Sequence, residues 1–175
     1  TASKAGIEML VMDDGWFGHR NDDSTSLGDW KVNEQKLPGG LKSLVEQVNA
    51  LGMKFGIWVE PEMVSEDSDL FRAHPEWILK TNYRKPELCR DQYLLDFSRP
   101  EVVEYVYDSL RRLLLSANIS YLKWDMNRSL IDLGSTCLSK ERQGEISHRH
   151  VLGVYAIQER LVSEFPELLF ENCSS

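Results

Sequence analysis

The chain alternates short apolar runs with segments of helical periodicity, and this alternation restricts the fold more than any other feature of the sequence. Strands are predicted at residues 7–12, 54–60, 119–127 and 168–170, and helices at residues 41–51, 99–118 and 145–164. Strands that alternate with helices in this way are parallel and are joined by right-handed crossovers. The predicted fold class is therefore α/β.

Polar side chains lie at the carboxyl ends of the predicted strands, which favours a barrel. The residues concerned are Asp13 and Asp14, Trp58 and Glu60, Lys123 to Asn127, and Glu171 to Cys173. Barrel enzymes build their sites from several strand ends that face one pocket. The sequence has no Gly-x-Gly-x-x-Gly turn before a helix, which a dinucleotide-binding sheet would carry. A doubly wound sheet also fits the alternation, but we predict a partial (β/α)8 TIM barrel.

Composition narrows the classes of partner. The 175 residues are 42% hydrophobic and 27% charged, which is typical of one soluble globular unit. A net charge of −8 argues against a nucleic-acid partner, and no apolar stretch approaches the roughly 20 residues that span a membrane. Three widely spaced cysteines predict neither a disulfide framework nor a zinc site, but reduced thiols in a cytoplasmic protein. Both chain ends look like cuts within a larger domain.

The segment 121–128 contains the strongest candidate for chemistry. Lys123, Asp125 and Asn127 alternate with Trp124 and Met126, so the three polar side chains should share one face of a strand. A neighbouring ammonium group and hydrogen bonds to the ionised form both lower the pKa of a carboxyl group. Asp125 therefore has the surroundings of a carboxylate nucleophile. A surface loop with an ordinary Lys–Asp pair is the alternative.

Asp13 and Asp14 form a pair of adjacent carboxylates at another strand end. Carboxylates accept hydrogen bonds from sugar hydroxyls, and Trp16, Trp58 and Trp124 could offer flat apolar faces to a pyranose ring. The same carboxylates could instead bind Mg²⁺, which prefers oxygen ligands, or form a solvated acidic turn. For Trp58, burial in the core is the strong alternative.

Glu60 and Glu62 are candidates for a general acid or base, but they could equally pair with Lys54 or Arg72.

Four further residues have weaker signals. Arg90 could clamp a ligand or form a surface ion pair, and Cys173 could form a wall of a site. His148 and His150 lie at the start of a predicted helix, where solvation is more expected than catalysis.

Seven motifs together resemble the α-galactosidases of glycoside hydrolase family 36, and they extend along essentially the whole chain. They are Asp13-Asp-Gly-Trp-Phe17, Leu27-Gly-Asp-Trp30, Leu37-Pro-Gly-Gly-Leu41, Trp58-Val-Glu-Pro-Glu-Met63, Leu95-Asp-Phe-Ser-Arg-Pro-Glu101, Lys123-Trp-Asp-Met-Asn-Arg128 and Phe170-Glu-Asn-Cys-Ser-Ser175. The resemblance implies that residues 1–175 are part of one catalytic barrel, from the end of the first helix to the fifth strand. It also implies that residues 94–97 form a small strand outside the barrel.

The resemblance implies release of terminal α-linked galactose, with retention of configuration, from oligosaccharides such as melibiose and raffinose. Asp125 matches the nucleophile of the family. The positions that match sugar-binding residues are Asp13, Asp14, Trp58, Arg90, Lys123, Asn127 and Cys173. A retaining glycosidase also needs a second carboxyl group about 5–5.5 Å from the nucleophile. In the family this acid/base aspartate lies on the next strand, beyond residue 175, so the 175 residues alone are expected to be inactive.

No cofactor, metal, membrane or nucleic-acid partner is predicted, and the resemblance implies a homo-oligomer for the full-length protein. The nearest alternative is a galactosyl-transferring enzyme of the same family, such as a raffinose or stachyose synthase. A catalytically silent sugar-binding module is a second alternative, and a magnesium-dependent barrel enzyme is a third.

Overall fold

The structure is a computed structural model, and it describes residues 2–81 and 84–174. Within these ranges, strands and helices alternate much as the sequence predicts. In chain order the elements are β1 (Met9–Met12), α1 (Gly40–Ala50), β2 (Lys54–Val59), β3 (Met63–Ser65), α2 (Asp69–Ala73), β4 (Gln92–Leu94), α3 (Pro100–Ser116), β5 (Tyr121–Met126), α4 (Ile146–Glu164) and β6 (Leu169–Ser174). Short 3₁₀ turns lie at Ser3–Ala5 and Lys140–Glu145.

Four parallel strands form the main sheet, in the order β1-β2-β5-β6. This arrangement confirms the predicted α/β class with parallel strands. The spatial order follows the chain order, with no reversal among the described strands, whereas a doubly wound sheet reverses its order at a switch point. All four carboxyl ends lie at the same edge of the sheet, because the strands are parallel.

The helices cover one face of this sheet, which we call the helix face. Leu122 and Trp124 of β5 point to the helix face and are fully buried. Tyr121 and Lys123 point to the opposite face and are only partly buried. We call this opposite face, which also carries Asp125, the site face. Helices α1, α3 and α4 contribute apolar side chains to the core on the helix face.

The chain segment between β2 and α3 contains the two strands of a separate small sheet. Strand β2 ends at Val59, one residue before the predicted end at residue 60, and the chain then forms β3, which the sequence does not predict. Strands β3 and β4 pair in antiparallel fashion, with Met63 opposite Leu94. Strand β4 is therefore outside the parallel sheet, as the resemblance implied for residues 94–97, although the strand itself covers Gln92–Leu94.

The Ser98–Glu101 sequence has capping-box form, but the structure uses it differently. Helix α3 begins at Pro100, and the Ser98 hydroxyl donates to Asp96 Oδ1 at 2.5 Å instead of capping the helix. Asp96 is a fully buried carboxylate that also pairs with Arg99. A buried carboxylate needs donors on its oxygens, and this need overrides the local capping preference.

Other sequence expectations concern the cysteines and the membrane. Cys89, Cys137 and Cys173 all lie in the described ranges and are free thiols, as the spacing predicts. None of the helices in the described ranges is both long enough and apolar enough to cross a membrane.

Candidate active site

Asp125 lies near the end of β5 and accepts three hydrogen bonds through its carboxylate. Trp58 Nε1 and Asn127 Nδ2 donate to Oδ2 at 3.0 Å and 2.7 Å, and the backbone N–H of Met126 donates to Oδ1 at 2.9 Å. The three donors come from β2 and from the end of β5. They fix the orientation of a carboxylate that is otherwise buried at the edge of the sheet.

The pKa of Asp125 reflects two opposing influences. Burial is the largest single influence and by itself raises the pKa of this carboxyl. The hydrogen bonds from Trp58, Asn127 and Met126, together with the positive charge of Lys123, outweigh burial and lower the pKa from its ordinary value. Asp125 is therefore ionised at neutral pH, which is the state that a carboxylate nucleophile needs.

Strand register brings several of the predicted site residues to the same face. Trp58 on β2 lies opposite Lys123, and Cys173 on β6 lies opposite Asp125. Partners in register between parallel strands point to the same face of a sheet. Asp13 follows β1, and its Oδ2 lies 3.9 Å from Lys123 Nζ.

Asp13 and Asp14 diverge at the end of β1. Asp13 faces Lys123, whereas the carboxylate of Asp14 is bound by Arg20, whose Nε donates to Oδ1 at 3.0 Å and whose second terminal nitrogen donates to Oδ2 at 2.8 Å. Arg20 is itself buried. One carboxylate is thus directed at the centre of the site, and the other is fixed at its rim.

The three tryptophans do not offer open faces to a sugar ring, so that expectation is wrong. Trp16, Trp58 and Trp124 are all buried. The Trp16 indole N–H donates to the backbone carbonyl of Trp58 at 2.9 Å, and the Trp58 indole N–H donates to Asp125. In this structure Trp58 therefore orients Asp125 through its N–H, and its ring packs in the core.

Glu60 is a second buried carboxyl at the site. Its Oε1 accepts from the backbone N–H of Asn127 at 2.8 Å, and its Oε2 accepts from Gln92 Nε2 at 3.3 Å. Burial is the main cause that raises the pKa of Glu60; the charge of Asp125 also raises it, while Asn127 and Arg90 lower it. Glu60 is thus in electrostatic contact with the candidate nucleophile.

Arg90 approaches the site from a strained turn. Cys89 and Gln92 exchange backbone hydrogen bonds across a two-residue turn, in which Arg90 and Asp91 have φ values of 54° and 56°. Positive φ is uncommon for residues other than glycine, and such strain is typical of functional sites. The turn brings the Arg90 guanidinium to 3.5 Å from the backbone carbonyl of Asn127.

Glu62 points to the helix face instead. Its Oε1 accepts from the Trp124 indole N–H at 2.8 Å, and its Oε2 lies 3.3 Å from Nε2 of His150 in α4. The suggested pairing of these glutamates with Lys54 or Arg72 is wrong. The expectation of a solvated His150 is also wrong, since the residue is 1% exposed.

Cys173 lies in register with Asp125 on β6, and its thiol is only partly exposed. Burial is the first cause that raises the pKa of this thiol, and the negative charge of Asp125 acts in the same direction. Cys173 is therefore a neutral thiol at neutral pH, which is consistent with a wall of the site and not with a thiolate nucleophile.

Two residues that support the site had no signal in the sequence. Arg20 lies in a polar loop with several other charged residues, and Gln92 begins a short extended piece. Only the tertiary structure places them against Asp14 and Glu60.

Within the described ranges, no three His, Cys, Asp or Glu side chains converge as possible metal ligands. The arrangement is that of an oriented carboxylate with cationic and amide neighbours.

Comparison with known proteins places this geometry in a family. The Melibiase family model matches residues 1–175. α-Galactosidase AgaA of Geobacillus stearothermophilus is 52% identical over 174 residues, which are 99% of this chain and 24% of AgaA. The bifunctional α-galactosidase/sucrose kinase AgaSK of Mediterraneibacter gnavus is 54% identical over 173 residues, which are 99% of this chain and 18% of AgaSK.

Solved structures agree with these sequences. The crystal structure of GH36 α-galactosidase AgaA superposes with a TM-score of 0.97 at 51% identity, covering 99% of this chain and 24% of AgaA. A variant of AgaA in complex with raffinose gives the same TM-score, identity and coverage. The chain spans about a quarter of the length of AgaA. Because the Melibiase family model matches the chain over its whole length, the chain belongs to this family, and the relatives compared above are α-galactosidases.

Proposed function

We propose that the chain is part of the catalytic domain of a retaining α-galactosidase that releases terminal α-linked galactose from oligosaccharides such as melibiose and raffinose. Asp125 is the nucleophile and forms a covalent galactosyl–enzyme ester. The carboxylate of Asp125, with three donors and a lowered pKa, is the observation that carries this proposal. The binding of raffinose by an AgaA variant supports the class of substrate.

We propose that polar groups around Asp125 bind the sugar. In the proposal, Asp13, Asp14 and Arg90 bind galactose hydroxyls, because their charged groups are exposed around the site. Lys123 contributes a positive charge between Asp13 and Asp125.

We propose that the remaining matched positions, Lys123, Trp58, Asn127 and Cys173, also belong to the galactose site. Asn127 and Trp58 hold the nucleophile through hydrogen bonds to Oδ2, and Cys173 forms a wall beside it. We propose no metal and no cofactor in the reaction, since the carboxylate chemistry requires neither.

The fold supports a barrel as the setting of this chemistry. Among the described residues, the parallel strands follow one another in chain order, and the helices lie on one face of the sheet. Both features are those of a (β/α)8 barrel, in which strand ends converge on one site. We therefore propose that residues 1–175 are one section of a single catalytic barrel domain.

A second carboxyl must protonate the leaving oxygen and then activate water. Glu60 is the other buried carboxyl at the site, but it does not match the family's acid/base position, and Asn127 and Gln92 already donate to its two oxygens. We propose that the acid/base residue lies outside the 175 residues, as the resemblance implies. The isolated segment is then inactive.

The test uses the full-length parent, its Asp125→Gly variant and an aryl α-galactoside. We expect the variant to lose activity, because no nucleophile remains. Added azide should restore turnover with β-galactosyl azide as the product. Azide enters the space left by the Asp125 carboxylate and attacks the sugar from the face that the carboxylate would attack. The isolated 175-residue segment should give no turnover above a buffer blank.

Other results would change the proposal in specific ways. An Asp125→Gly variant with parental activity would remove the nucleophile assignment. Transfer of galactose to an added acceptor sugar, in preference to water, would indicate the galactosyl-transferring alternative. Galactose binding by an inactive parent would indicate the sugar-binding module.

A further inference from the structure

We propose that Glu60 is a positioning residue that holds Asn127 and the turn carrying Arg90 in fixed relation to Asp125. The inference rests on the proposed function and concerns the same site. Glu60 follows β2, whereas Asn127 follows β5 and Arg90 precedes β4. One side chain thereby joins three segments that are distant in sequence.

The first link is to Asn127. Glu60 is 2% exposed, and its Oε1 accepts the backbone N–H of Asn127 at 2.8 Å. This residue lies just beyond the end of β5, where the strand ladder no longer fixes the backbone. Its side chain donates to Asp125 Oδ2 at 2.7 Å. The position of this donor, and with it the orientation of the nucleophile, therefore depends on Glu60.

The second link is to the Arg90 turn. Glu60 Oε2 accepts from Gln92 Nε2 at 3.3 Å, and Gln92 closes the turn by exchanging backbone hydrogen bonds with Cys89. Arg90 and Asp91 have positive φ, which persists only where the surroundings enforce it. Anchoring Gln92 in the buried interior provides such enforcement.

A carboxylate suits this role because it only accepts hydrogen bonds. Both of its partners here are N–H donors, one from a backbone and one from a side-chain amide. An amide in place of the carboxylate has nearly the same shape but directs its own NH₂ group at one of these donors. Glu60→Gln is therefore a test that alters hydrogen bonding with little change in volume.

Occupied oxygens also distinguish a positioning role from an acid/base role. Protein donors already contact both oxygens of Glu60, whereas an acid/base carboxyl must exchange a proton with the substrate. We therefore expect the consequences of substitution to be independent of the leaving group, because proton donation is not what is lost.

The experiment measures kcat and KM of the full-length parent and its Glu60→Gln variant on aryl α-galactosides with good and poor leaving groups, with and without azide. We expect kcat to fall roughly 10- to 100-fold, as misplacement of reacting groups typically costs. The factor should be equal for both leaving groups, and no galactosyl azide should form. Glu66→Gln, which changes an exposed glutamate of the same segment, is the matched control and should keep parental kinetics.

A second variant separates the two links. Gln92→Met removes the amide donor from the Arg90 turn and leaves the Asn127–Glu60 hydrogen bond in place. We expect a higher KM with little change in kcat, because Arg90 binds substrate in the proposal. This measurement also decides the matter if Glu60→Gln fails to fold, and a parental KM would then contradict the inference.

Two results would overturn the inference and leave the proposed function intact. One is a folded Glu60→Gln variant with parental kinetics in an active parent. The other is α-galactosyl azide from Glu60→Gln, which would make Glu60 the acid/base residue. An inactive parent, or an Asp125→Gly variant with parental activity, would instead overturn both proposals.

Discussion

Two tryptophan–carboxylate hydrogen bonds join the ends of β2 and β5, one on each face of the sheet. On the site face, Trp58 of β2 donates to Asp125 of β5 at 3.0 Å. On the helix face, Trp124 of β5 donates to Glu62, just after β2, at 2.8 Å. The two carboxylate residues are almost equally buried, with exposures of 7% for Asp125 and 6% for Glu62.

The difference lies in what completes each environment. Behind Glu62, His150 of helix α4 lies against the second oxygen and closes the cluster. Beside Asp125 there are Asn127 and the charge of Lys123, at an edge where the polar ends of four strands meet. Burial of a carboxylate therefore does not identify a catalytic group. The role of a buried carboxylate is indicated by whether a helix covers it, as α4 covers Glu62, or whether it lies among polar strand ends, as Asp125 does.

The largest effect that we expect from this comparison concerns stability. Glu62→Ala leaves the Trp124 N–H and His150 without their shared partner in the interior. The expected loss is on the order of 3 kcal/mol, as for other broken buried pairs. It should appear as a lower melting temperature of the full-length parent, while kcat well below that temperature stays within severalfold. Glu66→Ala, at an exposed position, should leave both unchanged. A large fall in kcat at an unchanged melting temperature would contradict the division between the faces.

The next effect concerns activity and its pH dependence. Trp58→Phe keeps an aromatic ring in the cluster with Phe17 but removes the N–H that donates to Asp125. A hydrogen bond to a charged group contributes about 1.5–3 kcal/mol, so kcat/KM should fall roughly 10- to 100-fold. Loss of a donor to the ionised form raises the pKa of Asp125, so the acid limb of kcat/KM should move to higher pH.

Trp30→Phe is the matched control for this substitution. Trp30 packs in the same aromatic cluster, with its ring centroid 6.4 Å from that of Trp58. Its Nε1 has no hydrogen-bond partner in the described part of the chain. The control therefore changes packing without removing a donor from Asp125. An equal shift of the acid limb in both variants would assign the effect to packing.

The sequence predicted the α/β class, the parallel strands and the polar strand ends, because each rests on local periodicity. The alternation of Lys123, Asp125 and Asn127 likewise predicted a shared face, and the Asn127–Asp125 hydrogen bond agrees with it. The sequence could not predict which buried donor would form a hydrogen bond with which carboxylate. Periodicity gives the face of a side chain but not its partner across the sheet.

Two residues show the same limit. His150 lies in a polar stretch and looks solvated in sequence, but α4 turns it toward Glu62. Ser98 has the spacing of a helix cap, but the buried carboxylate of Asp96 binds its hydroxyl. For both residues, a hydrogen bond with a buried carboxylate, that of Glu62 or Asp96, overrides the placement that the local sequence favours.

The smallest expected effect sharpens the comparison most directly, because it repeats one substitution on the other face. Trp124→Phe removes the donor to Glu62 Oε1, while the contact of His150 with Oε2 remains. Loss of one hydrogen bond to a buried carboxylate should lower the free energy of unfolding by about 1.5 kcal/mol, the lower end of the range for such bonds, measured as a small fall in the melting temperature of the full-length parent. The acid limb of kcat/KM should not move, because Trp124 makes no hydrogen bond to Asp125 within the described ranges. A shift as large as that in Trp58→Phe would mean that the two clusters act as one network through β5.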